Sequence, residues 1–240
     1  LVDDASEVNA LQCLEDHLQD MRDGNYTNLP MVDFPILTNE ANFLLNKRIG
    51  IVYGAPGLGK SLFVGKFCDD LQLSGHTVAR LQLEDEMEQH LLRSLAQQSL
   101  RADLASPAFH KANPDESKVL YEQFRPTLEK IAPSVTAGED DDWDADKILT
   151  WVESQLKQGK ELVVVDPVSV VMDKNIWIVS HRLMWGMKKI LAKYPHGRVV
   201  LVSHPNSEGD ISGGQAYKRF SHGMLMLNRL KAPKEMEIIN

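Results

Sequence analysis

The sequence predicts an α/β fold, with a mostly parallel central sheet flanked by helices and a short helical segment in front of it. Two observations predict it. From residue 48 onward, short runs rich in β-branched residues alternate with longer runs whose apolar residues recur at helical spacing, as in strands covered by helices on a parallel sheet. A glycine-rich stretch at residues 54–59 ends the first β-like run and opens the first helical one, the place such a turn occupies in an α/β unit.

In order along the chain, residues 6–21 place Leu11, Leu14, Leu18 and Met21 on one side of an amphipathic helix. We take 1–30 as this helix and its linker and 31–240 as the main domain. The helix packs either on its own domain or on a neighbouring subunit, and the spacing alone does not choose. Strands are expected at 48–53, 77–83, 162–166, 198–203 and 224–230. A helix over 60–73 aligns Phe63, Val64, Phe67, Cys68 and Leu71, with Gly75 placed to end it. Similar stripes predict helices at 87–102 through Leu91, Leu92 and Leu95, at 144–157 through Ile148, Val152 and Leu156, and at 177–193 through Leu183, Met187 and Leu191. Residues 106–114 and the acidic run 138–142 are expected to be the least ordered, the latter as a solvated loop.

The 240 residues are 43% apolar, enough for a substantial core. The longest apolar runs are strand-sized, well below the roughly 20 residues a bilayer-crossing helix needs, so no membrane partner is expected. The acidic first residues lack the basic start of a secretory signal. Cys13 and Cys68 form neither a disulfide framework nor a metal-ligand spacing, which fits a reducing, cytoplasmic setting. A net charge of −8 weighs against a basic coat for duplex binding.

Gly54, Ala55, Pro56, Gly57, Leu58, Gly59, Lys60 and Ser61, continued by Leu62, follow a strand and open a helix. Glycines let successive N–H groups turn inward toward phosphate oxygens, and the helix N-terminus adds favourable partial charge. Lys60 then reaches the outer phosphates of ATP and the Ser61 hydroxyl ligates Mg2+. Asp166, at the end of the apolar run 162–165, supplies a carboxylate on the magnesium side, acting mainly through bound water. Glu84 and Glu161 compete as the base that orients the attacking water. Ligands of open α/β sheets bind outside the carboxyl ends of the strands, which favours Glu84, at the end of its strand, over Glu161, at the start of another. His204 also ends a strand and is placed to sense the γ-phosphate.

Together these residues resemble the RecA-like ATPases, and within them the ring-forming replicative helicases of phage and bacteria, the RepA-like and DnaB-like groups. The resemblance runs over residues 43–229. It rests on the P-loop, Leu83-Glu84, Val165-Asp166-Pro167, Ser203-His204 and the glycine-rich 210–229 stretch. It implies a RecA-like P-loop NTPase that hydrolyses ATP with Lys60, Glu84 and His204 as catalytic residues. It also implies a sensor strand between the P-loop and Asp166 strands, and assembly as a hexameric ring or filament. Single-stranded DNA would pass near Gly213, Gly214, Lys218 and Arg219, and Arg229 is the candidate for the subunit edge. The alternative is a regulatory or adaptor ATPase of the same fold that assembles on ATP without translocating.

Overall fold

A computed structural model describes residues 10–138, 143–171, 176–205, 211 and 214–229. Helix α1 (Ala10–Arg22) is followed by the short α2 (Pro35–Asn39), β1 (Ile49–Tyr53) and α3 (Lys60–Leu73). Next come β2 (Val78–Gln82), α4 (Met87–Gln98), α5 (Pro107–Ala112), α6 (Pro114–Ile131) and β3 (Val135–Ala137). The chain then forms α7 (Ala145–Lys157), β4 (Leu162–Asp166), α8 (Ile176–Lys193), β5 (Arg198–Ser203), α9 (Gly214–Phe220) and β6 (Gly223–Met226).

The strands form one sheet in the order β3-β2-β4-β5-β1-β6, and every pairing is parallel. Because the sheet is covered on both faces, its strands are apolar throughout and their alternation sorts residues between two cores. Val163, Val165, Val199 and Leu201 face Ile148, Val152, Leu183, Met187 and Tyr217 of α7, α8 and α9. Leu162, Val164, Val200 and Val202 face Val64, Phe67, Cys68 and Leu71 of α3. Leu29, Met31, Phe43 and Leu44 complete the second core. Arg198, 2% exposed, ties that amino-terminal stretch down by donating to the carbonyls of Leu44 and Thr27.

The five expected strands are present, the last shorter than expected and starting at Gly223. Four further elements, α2, α6, α9 and β3, carry no such expectation. The expected disorder over 106–114 is corrected: α5 occupies most of it, with Ser106 Oγ accepting from the Ala108 amide and Pro107 at the first helical position. Serine followed by proline caps a helix as readily as it opens a loop. The acidic residues 139–142 lie outside the described residues. Helix α1 buries none of its residues, leaving Leu11, Leu14, Leu18 and Met21 exposed. Among the described residues no helix is long and apolar enough to cross a membrane.

Candidate nucleotide site

The parallel register brings four chain segments off the sheet at one edge. Tyr53 lies beside Ser203, and Gln82 beside Asp166, so Gly54, Leu83-Glu84, Asp166 and His204 all emerge at the carboxyl ends. Leu83 N–H donates to the Asp166 carbonyl at 2.8 Å, which carries the β2 chain one residue further alongside β4 and brings Glu84 over the edge.

In the turn after β1, Gly57 and Gly59 adopt φ of +75° and +84°, conformations that favour glycine. Gly54 is required for a different reason: a Cβ there would sit 2.6 Å from the Leu227 carbonyl oxygen. Helix α3 starts at Lys60 with no side-chain cap on its first N–H groups, leaving them directed at the turn.

Lys60 is buried, 5% exposed, and its Nζ donates to the Ala55 carbonyl at 3.2 Å and meets His204 Nδ1 at 3.2 Å. An ammonium can only donate, so Nδ1 accepts and the His204 proton sits on Nε2, which faces Glu84 Oε1 at 3.4 Å. Lys60, His204 and Glu84 thus form a continuous polar chain from the P-loop to the end of β2. Burial lowers the Lys60 pKa, with Asp166 and Glu84 acting against it.

Asp166 is 2% exposed. Burial pushes its pKa up to about 6, Ser61 opposes that by hydrogen bonding to the carboxylate, and the charges of Asp85 and Glu84 add to it. Its Oδ2 is buried without a hydrogen-bond partner. A hydroxyl beside a carboxylate with one unused oxygen suits Mg2+, which takes hard oxygen ligands and retains several waters. Among the described residues no cluster of three or more His, Cys, Asp or Glu forms an all-protein metal cage.

Sequence reasoning passed over the pairing of Asp85 with Arg93. Arg93 on α4 grips Asp85 with both Nη atoms, at 2.5 and 3.4 Å, and this holds the Asp85 carboxyl below its ordinary range. Of the three consecutive carboxylates Glu84, Asp85 and Glu86 after β2, Asp85 is therefore committed to α4, and Glu84 is left to face His204. An arginine two turns into a helix that follows an acidic run was the available signal. Gln97 further ties α4 to the P-loop helix by donating to the Leu62 carbonyl at 2.9 Å.

Glu161 lies at the opposite edge, where its carboxylate accepts from the Thr77 amide at 2.9 Å and meets His76. Gly213 falls outside the described residues, as does 206–210. Gly214 begins α9, whose last turn carries Lys218 and Arg219, and Arg229 is exposed beyond β6.

No protein-family profile and no curated protein matches the sequence. Solved structures do match. One of them, an ATPase domain, superposes with a TM-score of 0.64 at 15% identity, covering 95% of this chain and 84% of that one. A DnaB-like replicative helicase, solved for its interactions with primase, superposes with a TM-score of 0.61 at 12% identity, over 82% of this chain; that overlap spans only 48% of the helicase. With β5 between β1 and β4, the P-loop at the head of α3 and these neighbours, the chain has the RecA-like P-loop fold of replicative-helicase ATPase domains.

Proposed function

We propose that this chain hydrolyses ATP as a RecA-like motor domain, of phage or bacterial origin, that works on single-stranded DNA as a ring or filament of copies. The observation that carries the reading is the chain from Lys60 through His204 to Glu84, closing over the P-loop beside the half-used carboxylate of Asp166.

The chemistry follows from what each group can donate or accept. The inward N–H groups of residues 57–61 and the Lys60 ammonium bind the β- and γ-phosphates and offset the charge that spreads over the transferred phosphoryl group. Ser61 and Asp166 would hold Mg2+, which supplies further charge neutralisation when bound. Glu84, a carboxylate fixed at a strand end, orients water for in-line attack and accepts its proton. His204 lies between Glu84 and Lys60, so a change in what Lys60 contacts is felt by the base. Gly213, Gly214, Lys218 and Arg219 are the candidates for contact with DNA, and Arg229 is the candidate for contact with a neighbouring copy.

ATP turnover with and without single-stranded DNA tests the reading. Stimulation is expected; turnover without stimulation or DNA binding would leave a nucleotide switch and sink the motor. Glu84→Gln should retain nucleotide binding and lose roughly 10²–10⁴-fold in kcat, and undiminished hydrolysis would remove Glu84 from the mechanism.

A further inference from the structure

On the far side of the sheet from α3, helices α8 and α9 present a surface unlike the rest of the molecule. In a chain of net charge −8, Ile176–Lys193 and Gly214–Phe220 contain six Lys and Arg and no Asp or Glu. Two of the six, Arg182 and Lys193, pair with Asp146 and Glu153 of α7. Among the described residues no carboxylate pairs with Lys188, Lys189 or Arg219. Each lies instead against an aromatic ring: Lys188 and Arg219 are 5.5 and 5.9 Å from the Phe220 centroid, and Lys189 is 5.7 Å from that of Trp185. The rings touch one another too, with Trp185 and Phe220 centroids 6.1 Å apart. The positive charge is also felt nearby: the His222 pKa is lowered by burial and then by Lys188 and Arg48.

The exposed aromatics make the face costly if it stays bare. Trp177 is 70% exposed and Trp185 49%, two turns apart on one side of α8. Large aromatic area left in water beside unneutralised cations marks a surface that something else covers. A polymer that alternates phosphates with stackable base faces satisfies both kinds of group at once, cations on the backbone and rings on the bases. An acidic protein surface answers only the charge.

We infer that the α8–α9 face, built on Trp185, Lys188, Lys189, Arg219 and Phe220, binds single-stranded nucleic acid. The inference rests on the proposed action on single strands and extends the contact surface from the residues near Gly214 along the length of α8.

The test is fluorescence anisotropy of a labelled 20-nucleotide oligothymidylate, titrated with the full chain over a range of KCl concentrations. Lys188→Ala/Lys189→Ala should weaken binding and flatten the salt dependence of log K by about 1.4, or about 0.7 for each lost single-strand phosphate contact. Trp185→Ala should weaken it roughly 5- to 150-fold, the scale of one lost stacking contact. DNA-free ATP turnover and the assembly state by mass photometry should not change. Should the wild type bind while both variants bind equally well, the inference is wrong and the motor survives. Loss of assembly in the variants would assign the face to contact between copies and overturn the inference as well. A wild type that binds no oligonucleotide removes the motor reading itself. Photocrosslinking of a 5-iododeoxyuridine oligonucleotide to the unaltered chain guards against variants that misfold: adducts are expected on Trp185 or Phe220, and adducts confined elsewhere refute the assignment.

Discussion

Two aspartates are buried among the described residues, Asp69 and Asp166, and they differ in what offsets their charge. Asp69 on α3 is fully enclosed, yet Arg80 of β2 reaches to within 2.8 Å of it, and Arg80 in turn donates to Ser134. Asp166, nearly as enclosed, has Ser61 beside its carboxylate and, among the described residues, no ion pair. The first carboxylate is neutralised within the fold and serves to hold α3 against the sheet. The second has no direct ion pair among the described residues and only the nearby charge of Lys60 to offset its burial, at the edge where phosphates would bind. Buried charge marks a candidate site where no direct ion pair commits it to the fold.

That contrast can be broken in order of expected effect. Arg80→Met leaves Asp69 without its counter-charge and should cost ~3–5 kcal/mol in a urea melt. A smaller loss would mean the pair is not the tie described. Asp166→Asn should act in the opposite sense on stability, raising it by ~1–3 kcal/mol at pH 7.5, because each unit of pKa elevation corresponds to ~1.4 kcal/mol. Its turnover should fall roughly 10²-fold or more.

The sign fixes the pH window of that difference. A carboxyl with a raised folded pKa binds its proton more tightly when folded, so the wild type loses stability as pH rises from the ordinary value of 3.8 through about 6. The advantage of Asp166→Asn should therefore be complete above pH 6 and vanish below about 4, as paired melts across pH would show. The same protonation should weaken Mg2+-dependent nucleotide binding as pH falls through about 6, readable by titration of a fluorescent ATP analogue. The smallest effect belongs to Arg93→Ala, which frees Asp85 to compete with Glu84. We expect roughly tenfold lower kcat with KM little moved, and partial recovery in Arg93→Lys; a KM effect alone would place Arg93 outside the positioning of Glu84.

How much of this was legible in the sequence depended on whether the deciding forces were local. The P-loop declares itself because its glycines and its Lys-Ser end answer local backbone demands. The strands were visible because burial on both faces makes them uniformly apolar. Glu84 could be preferred over Glu161 because a parallel sheet has one ligand edge, and the structure places Glu161 at the other. Helix α6 was not legible: its exposed outer face and the proline at 126 dilute the apolar stripe, and only Leu128 and Ile131 are buried. The α8–α9 face depends on contacts between elements, which spacing along one helix does not reveal.

The hydrogen-bond chain at the P-loop also sets a limit that can be counted in protons. A lysine ammonium has three to donate, and in this structure one goes to Ala55 and one to His204. One remains. Holding two phosphate oxygens at once therefore obliges Lys60 to release a present partner. If that partner is His204, its freed nitrogen changes the hydrogen bonding of Glu84 in the same event, and filling the pocket and arming the base become a single exchange.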